Sequence, residues 1–378
     1  MMTHDQFYAA ANLKENPFRS NAATDADPRQ GVWVGYKKER ITFTKFLERS
    51  RADQVGNVNF VLIYGDYGVG KSHALLWAQY QILHAKRSDY NSCAYYIQTL
   101  MREKGKLSFA DAFRQDVVGK SNIVADILQF RQFVEEVVVE FKKETSLGTE
   151  VWDVVIDKMV ASIEMRNVLK RMRRCEDEAG AREFLEPESD HDAVLRICQI
   201  VNAFVHPFEL GSGKRQFRAA VYMFIDEVDL VADASAKEAR EVNIHLRHII
   251  DLCPSCFFLG LGFTATSAEI GVLFADYVLS RVTKQIVLEY MQPSEAKDFV
   301  REILNIARVD SKKKKDYFPF TEQAIDTAVS QIVSITPRKV VNTMQQVIEE
   351  CRLAGLDPGK AAITPEMLDK AGVWESIG

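Results

Sequence analysis

The chain has 378 residues, 47% of them hydrophobic and 27% charged, which is the composition of a globular protein with a full core and excludes a disordered or fibrous class. Its net charge of −5 supplies no global attraction to nucleic acid or anionic membranes, so any such surface has to be a local patch. No apolar run approaches the ~18 residues of a membrane span and the N-terminus lacks a signal peptide's apolar core, so no membrane partner and a reducing cytoplasm are the expectation.

The first thirty residues, with Glu15-Asn16-Pro17-Phe18 followed by a polar stretch, read as an extended arm. Ile41, Phe43, Phe46 and Leu47 then share one face of a short helix. Asn59 to Tyr64 is short, β-branched and aromatic, as a buried parallel strand should be. It runs into Gly65-Asp66-Tyr67-Gly68-Val69-Gly70-Lys71-Ser72, and a helical pattern with Leu75, Leu76, Tyr80 and Leu83 follows. The spacing G-x-x-x-x-G-K-S after a strand and before a helix is that of a phosphate-binding loop. Its glycines let successive amides face phosphate oxygens, Lys71 reaches the β- and γ-phosphates, and the Ser72 hydroxyl ligates Mg²⁺. A second strand is predicted at Cys93–Ile97.

Strand signals stop over residues 121–214, which reads as an all-helical insertion. Ile123, Ile127, Val134, Val138 and Phe141 fall on one helical face, as do Ile197, Ile200, Val201 and Phe204. Between them lie a basic helix, Arg166 to Arg174, and a turn-prone acidic stretch, Glu186 to Asp192; Gly211 to Arg215 reads as the exit loop. A strand at Ala220–Ile225 ends in Asp226 and Glu227. A helix over Val242–Leu252 precedes Cys253-Pro254-Ser255-Cys256, the one cysteine pair with ligand-like spacing; no second pair completes a zinc site, so a structural role is expected. Phe257 to Leu261 is a further strand, leading to Thr264 and Thr266, and Gln285 to Glu289 is the last. After Pro293 the pattern is helical, with Thr336 as N-cap, Pro337 at the first helical position and Gly355 as a stop; Thr364-Pro365 repeats the start signal.

Hydrolysis needs metal positioning and a group that activates water. Asp226 at a strand end is placed to hold Mg²⁺, and Glu227 to polarise the attacking water. A polar side chain at a neighbouring strand end is the third element, with Thr264 first and Thr266 its alternative.

These segments resemble the AAA+ ATPases, and within them the initiator-like Orc/Cdc6 group and its bacterial relatives. GDYGVGKS and FIDEVD are similar to the family's Walker A and Walker B motifs. Asn16-Pro17-Phe18 and Val34-Gly35-Tyr36-Lys37-Lys38-Glu39 resemble the N-terminal segment that flanks the adenine, with Tyr36 where an arginine is usual. Leu279-Ser280-Arg281-Val282 is similar to the S-R-F segment, which implies that Arg281 reaches the γ-phosphate of a neighbouring subunit. Thr336-Pro337-Arg338 resembles the second sensor, which implies that Arg338 closes a lid over the nucleotide in cis. The initiators usually carry an asparagine at the first sensor and continue into a winged-helix domain. Here threonines stand at the sensor and about twenty residues follow Gly355, so a specific origin-binding role is not expected. The loop, with His73 after Ser72, also looks like that of ATP-binding proteins encoded in phage-defence clusters.

The expected architecture is therefore α/β: a parallel AAA+ sheet flanked by helices (31–120 and 215–291), an N-terminal arm (1–30), the helical insertion (121–214) and a C-terminal helical lid (292–378). ATP and Mg²⁺ are the expected cofactors and a homo-oligomer the expected state. The function implied is ATP hydrolysis at a subunit interface, coupled to assembly on or loading onto a nucleic-acid complex. The alternative is a nucleotide-gated signalling or phage-defence switch whose insertion binds a partner protein. DNA contact would fall to Lys170–Arg174 or Lys312–Lys315, although neither patch has interleaved aromatics for stacking on single strands.

Overall fold

Short apolar runs flanked by helical patterns assemble into one five-stranded sheet. The computed structural model describes residues 3–18, 28–51, 58–84, 91–100, 106–145, 147–313 and 316–376. Its strands are β1 (Asn59–Gly65), β2 (Ser92–Ile97), β3 (Phe208–Leu210), β4 (Gly213–Arg215), β5 (Ala220–Ile225), β6 (Phe257–Thr264) and β7 (Lys284–Leu288), with β3 and β4 forming a separate antiparallel hairpin. The main sheet has the order β2-β5-β6-β1-β7. β2 pairs in parallel with β5 and β5 with β6, placing Ile97 opposite Ile225 and Ile225 opposite Leu261. β1 and β5 are buried at every residue, which is why they read as unbroken apolar runs and not as alternation.

The helices are α1 (His4–Ala10), α2 (Lys37–Arg49), α3 (Lys71–His84) and α4 (Phe109–Ala112), the last continued by a π-helical turn over Phe113–Val118. The insertion supplies α5 (Ile123–Thr145), α6 (Trp152–Met159), α7 (Ile163–Arg173), α8 (Glu178–Leu185) and α9 (Asp190–Phe204). After β5 come α10 (Ala236–Leu252), α11 (Ile270–Leu273) and α12 (Asp276–Leu279). The C-terminal helical region is α13 (Pro293–Ile306), α14 (Glu322–Ser330), α15 (Pro337–Leu353), α16 (Pro365–Lys370) and α17 (Val373–Ser376). A parallel sheet flanked by helices, with a helical insertion and a C-terminal helical region, is the architecture expected. By contacts the chain forms two compact units: Met1–Arg40 with Gly65–Ala74 and Leu288–Gly378, and Ile41–Tyr64 with Leu75–Val287.

In the larger unit the insertion shares its core with the sheet. One hydrophobic cluster joins Phe60, Leu62, Val221 and Met223 of the strands to Phe130, Val134, Ile197 and Phe204 of the insertion. The Phe130 ring lies 5.2 Å from Phe204 and 5.3 Å from Phe217. A buried carboxylate, Asp126 of α5, is compensated by the Tyr95 hydroxyl at 2.9 Å and by Arg218 at 2.7 Å. The exit loop expected over Gly211–Arg215 is instead the turn and return strand of the β3–β4 hairpin. Its three-residue strands are too short to leave a readable alternation.

In the smaller unit the expected extended arm is corrected. Residues 4–10 form α1, started by a capping box in which Thr3 and Gln6 exchange bonds, with Phe7 and Tyr8 buried. The Tyr8 hydroxyl donates to Glu349 of α15 at 2.6 Å, and Asn16 donates to the Gln345 carbonyl at 3.1 Å. Residues 19–27 of the arm lie outside the described residues. α15 begins as its sequence directs, with the Thr336 hydroxyl accepting from the Lys339 N–H, and Gly355 beyond its end takes a φ of 69°.

Candidate functional site

In the smaller unit, Gly65 to Ser72 joins β1 to α3. Gly65, Gly68 and Gly70 have φ of 150°, 85° and 102°, backbone that side chains disfavour. A Cβ at Gly65 would also sit 2.2 Å from the Leu288 carbonyl oxygen. The bend wraps the loop around Lys71, whose buried ammonium donates to the carbonyls of Gly65 at 3.0 Å and Asp66 at 2.9 Å. Ser72 follows in the first turn of α3 with its side chain exposed. A cation held in a glycine-rich loop that opens a helix is an anion-binding arrangement. The Tyr290 hydroxyl bonds to the Asp66 carboxylate, which raises the phenol pKa.

Two further expected segments meet this loop within the same unit. The Arg338 N–H donates to the Gly68 carbonyl at 3.3 Å, and the Arg338 guanidinium lies 4.2 Å above the Tyr67 ring. A Cβ on Gly68 would come within 3.1 Å of the Arg338 Cβ, so this approach also needs the glycine. On the N-terminal side, His73 Nε2 lies 2.8 Å from the Val32 carbonyl oxygen, beside Val34 and Gly35 in sequence. Gly35 and Tyr36 both take positive φ, and a Cβ on Gly35 would collide with Met291 at 2.6 Å. Tyr36 is buried and its hydroxyl donates to the Glu289 carbonyl at 2.8 Å. Where an arginine is usual in the family that the sequence resembles, this chain has an internal tie.

The carboxylates stand in the larger unit. Asp226, directly after β5, is buried; its Oδ2 accepts from the Tyr96 hydroxyl at 2.8 Å and its Oδ1 from the Glu227 N–H at 2.9 Å. β6 passes so close that a Cβ on Gly262 would lie 2.6 Å from Asp226 Oδ1, which explains a glycine inside that strand. Glu227 takes left-handed backbone at φ 51°, and its carboxyl pKa is raised by desolvation and then by the charges of Asp226 and Asp229. Thr264 ends β6, its N–H donating to Asp229 at 2.9 Å. Thr266 turns both its N–H (2.7 Å) and its hydroxyl (2.9 Å) to the Glu269 carboxylate. The geometry thus separates the two threonines: one ends a strand beside the acidic segment, the other caps a turn.

Arg281 follows α12 and is held bidentately by Asp251 of α10, with Nη2 to Oδ2 at 2.9 Å. Nothing in the sequence pattern marked Asp251 as its partner. Cations of the basic helix α7 find partners on the surface of their own unit: Lys170 pairs with Asp157 at 2.8 Å, Arg173 with Glu135 at 3.2 Å, and Arg171 lies over Phe184. Of the second lysine run, Lys314 and Lys315 lie outside the described residues. Cys253 is buried with its sulfur 3.8 Å from that of Cys198, and burial raises its thiol pKa. Among the described residues no cluster of three or more His, Cys, Asp or Glu is placed to hold a metal, and no helix is long and apolar enough to cross a membrane.

No protein-family model matches the chain, and no curated protein matches it. Solved structures do. The ORC2 protein of Aeropyrum pernix, determined as ADPNP and ADP complexes, aligns with a TM-score of 0.52 over 93% of this chain and 72% of that one, at 10% identity. The Holliday junction branch migration motor RuvB of Thermotoga maritima aligns at 0.42 and 11% identity, over 90% and 69%. A Walker-type ATPase of Pyrococcus abyssi aligns at 0.43 and 14%, over 91% and 74%. The fold is that of the P-loop NTPases. It is similar to the fold of the ORC2 protein, and the likeness does not single out the initiator-like group.

Proposed function

We propose that this chain is a Mg²⁺-dependent AAA+ ATPase that works as an oligomer and couples ATP turnover to assembly on, or loading onto, a nucleic-acid complex. The observation that carries the reading is the loop of the smaller unit, where Lys71 and Arg338 bring two cations to one glycine-rich turn. In this reading Gly65 to Ser72 take the triphosphate and Val34 and Gly35 flank the adenine. Ser72 and Asp226 are the residues that would hold Mg²⁺, which would supply charge neutralisation at the phosphoryl group. Glu227 accepts the proton of the attacking water, a role that a raised pKa favours, and Thr264 orients the same water. Arg338 acts in cis. Arg281 acts in trans at a subunit interface, with Asp251 fixing its direction until a neighbour's phosphate competes for it. The nucleic-acid link is supported by the initiator-like segments of the sequence.

A second reading, a nucleotide-gated switch whose insertion binds a protein, is favoured by the insertion's surface. Lys170 and Arg173 of α7 are paired with acids of the insertion, Val151 and Ile163 are exposed, and an open groove of ≈ 490 Å³ is lined by Gln132, Phe133, Arg215 and Arg218. Size-exclusion chromatography with and without ATP and DNA separates the two. The first reading expects an ATP-dependent larger species that co-elutes with DNA; an ATP-dependent change that ignores DNA favours the second.

A further inference from the structure

We propose that Tyr67 is a positioning residue for Arg338: its ring holds the guanidinium over the phosphate loop, pre-set for an anion bound there. The inference rests on the ATP-binding reading above and deepens it. Tyr67 is 73% exposed, so it contributes little to the core and its ring is free for another use. The Arg338 guanidinium carbon lies 4.2 Å from the ring centroid, well within the ~6 Å over which an aromatic face attracts a cation. That attraction offsets a local cost, because Arg338 sits in the first turn of α15, where the helix dipole disfavours positive charge.

The backbone makes the same link. Pro337 has no N–H to satisfy, the Lys339 N–H is capped by Thr336, and the Arg338 N–H is capped by the Gly68 carbonyl at 3.3 Å. The loop itself therefore completes the cap of the helix that carries Arg338. Because the Gly68–Val69 peptide is planar and trans, turning its carbonyl toward α15 turns the Val69 N–H the other way, toward the Asp66 carbonyl at 3.5 Å. One residue thus sets a loop peptide through its backbone, while Tyr67 sets that residue's side chain. Fixing the guanidinium in advance lowers the ordering cost of binding an anion.

The test is titration of a fluorescent N-methylanthraniloyl ATP with Mg²⁺ into the full chain and into Lys71→Ala, Tyr67→Leu, Tyr67→Phe, Arg338→Ala and the Tyr67→Leu/Arg338→Ala double variant, with melting curves to verify folding. Tyr67→Leu is expected to weaken binding roughly five-fold, Tyr67→Phe to restore it by keeping the ring, and Tyr67→Leu to add nothing once Arg338 is gone. The proposal is overturned if Tyr67→Leu binds as well as or better than the parent, if Phe fails to rescue, or if the loss is the same without Arg338. Those results leave the parent's tight binding and its loss in Lys71→Ala intact. If the parent itself does not bind, or Lys71→Ala binds equally, the ATP reading fails and takes this inference with it.

Discussion

Glu227 occupies left-handed backbone between two other carboxylates, and that setting gives the pH dependence a sign. A water-activating carboxylate works only when ionised, and a raised pKa means the ionised form is lost earlier on acidification. The acid limb of ATP turnover is therefore expected above the ordinary glutamate range, measured as a pH–rate profile at saturating ATP. A limb at or below about 4.5, the usual value for a glutamate, would contradict the assignment. At this scale the sequence carried the identities and not the environments. The fixed glycines and Lys71 were legible because the loop's chemistry demands those residue types at that spacing. The choice between Thr264 and Thr266 was not, because a two-residue shift along a strand end depends on where pairing stops and on Glu269, which takes up the Thr266 hydroxyl. Asp251 was unreadable as the partner of Arg281, since the pair joins positions 30 residues apart through tertiary packing.

Among the elements, β1, β5 and β6 were legible because strands buried on both faces must be continuous apolar runs. Helix α1 was not seen: seven residues bearing two large side chains fall below what periodicity resolves, although its capping box, Thr3-His4-Asp5-Gln6, was there to read. The correction has a measurable consequence. Phe7 is fully buried, so Phe7→Ala is expected to cost ~3–5 kcal/mol in chemical denaturation, where a residue on an extended arm would cost nearly nothing. The β3–β4 hairpin escaped for a similar reason, its three-residue strands leaving no readable alternation; what holds it lies far away in sequence, where Glu144 of α5 accepts from the Gly211 and Ser212 N–H groups and Glu140 from Arg215. The insertion was recognised by its helical period, whereas its shared core with the sheet is a property of packing that no window of sequence displays.

At the scale of the whole molecule, the proposed ATPase turns over only when assembled. Arg281 already satisfies Asp251 within its own chain, so Arg281→Ala is expected to leave ATP binding near the parent value and to lower turnover about 10³-fold, the lower end of what a finger contributes. Comparing turnover across protein concentration checks this: the parent's specific activity should rise as the protein assembles, and the variant's should stay flat. The most direct measurement of the central claim is phosphate release from ATP by the parent and by Glu227→Gln, with binding followed in parallel. The expected result is Mg²⁺-dependent release by the parent, and tight ATP binding with release lowered ~100-fold or more in the variant. Equal release by the two proteins, or none by the parent under conditions in which it binds ATP and assembles, would contradict it.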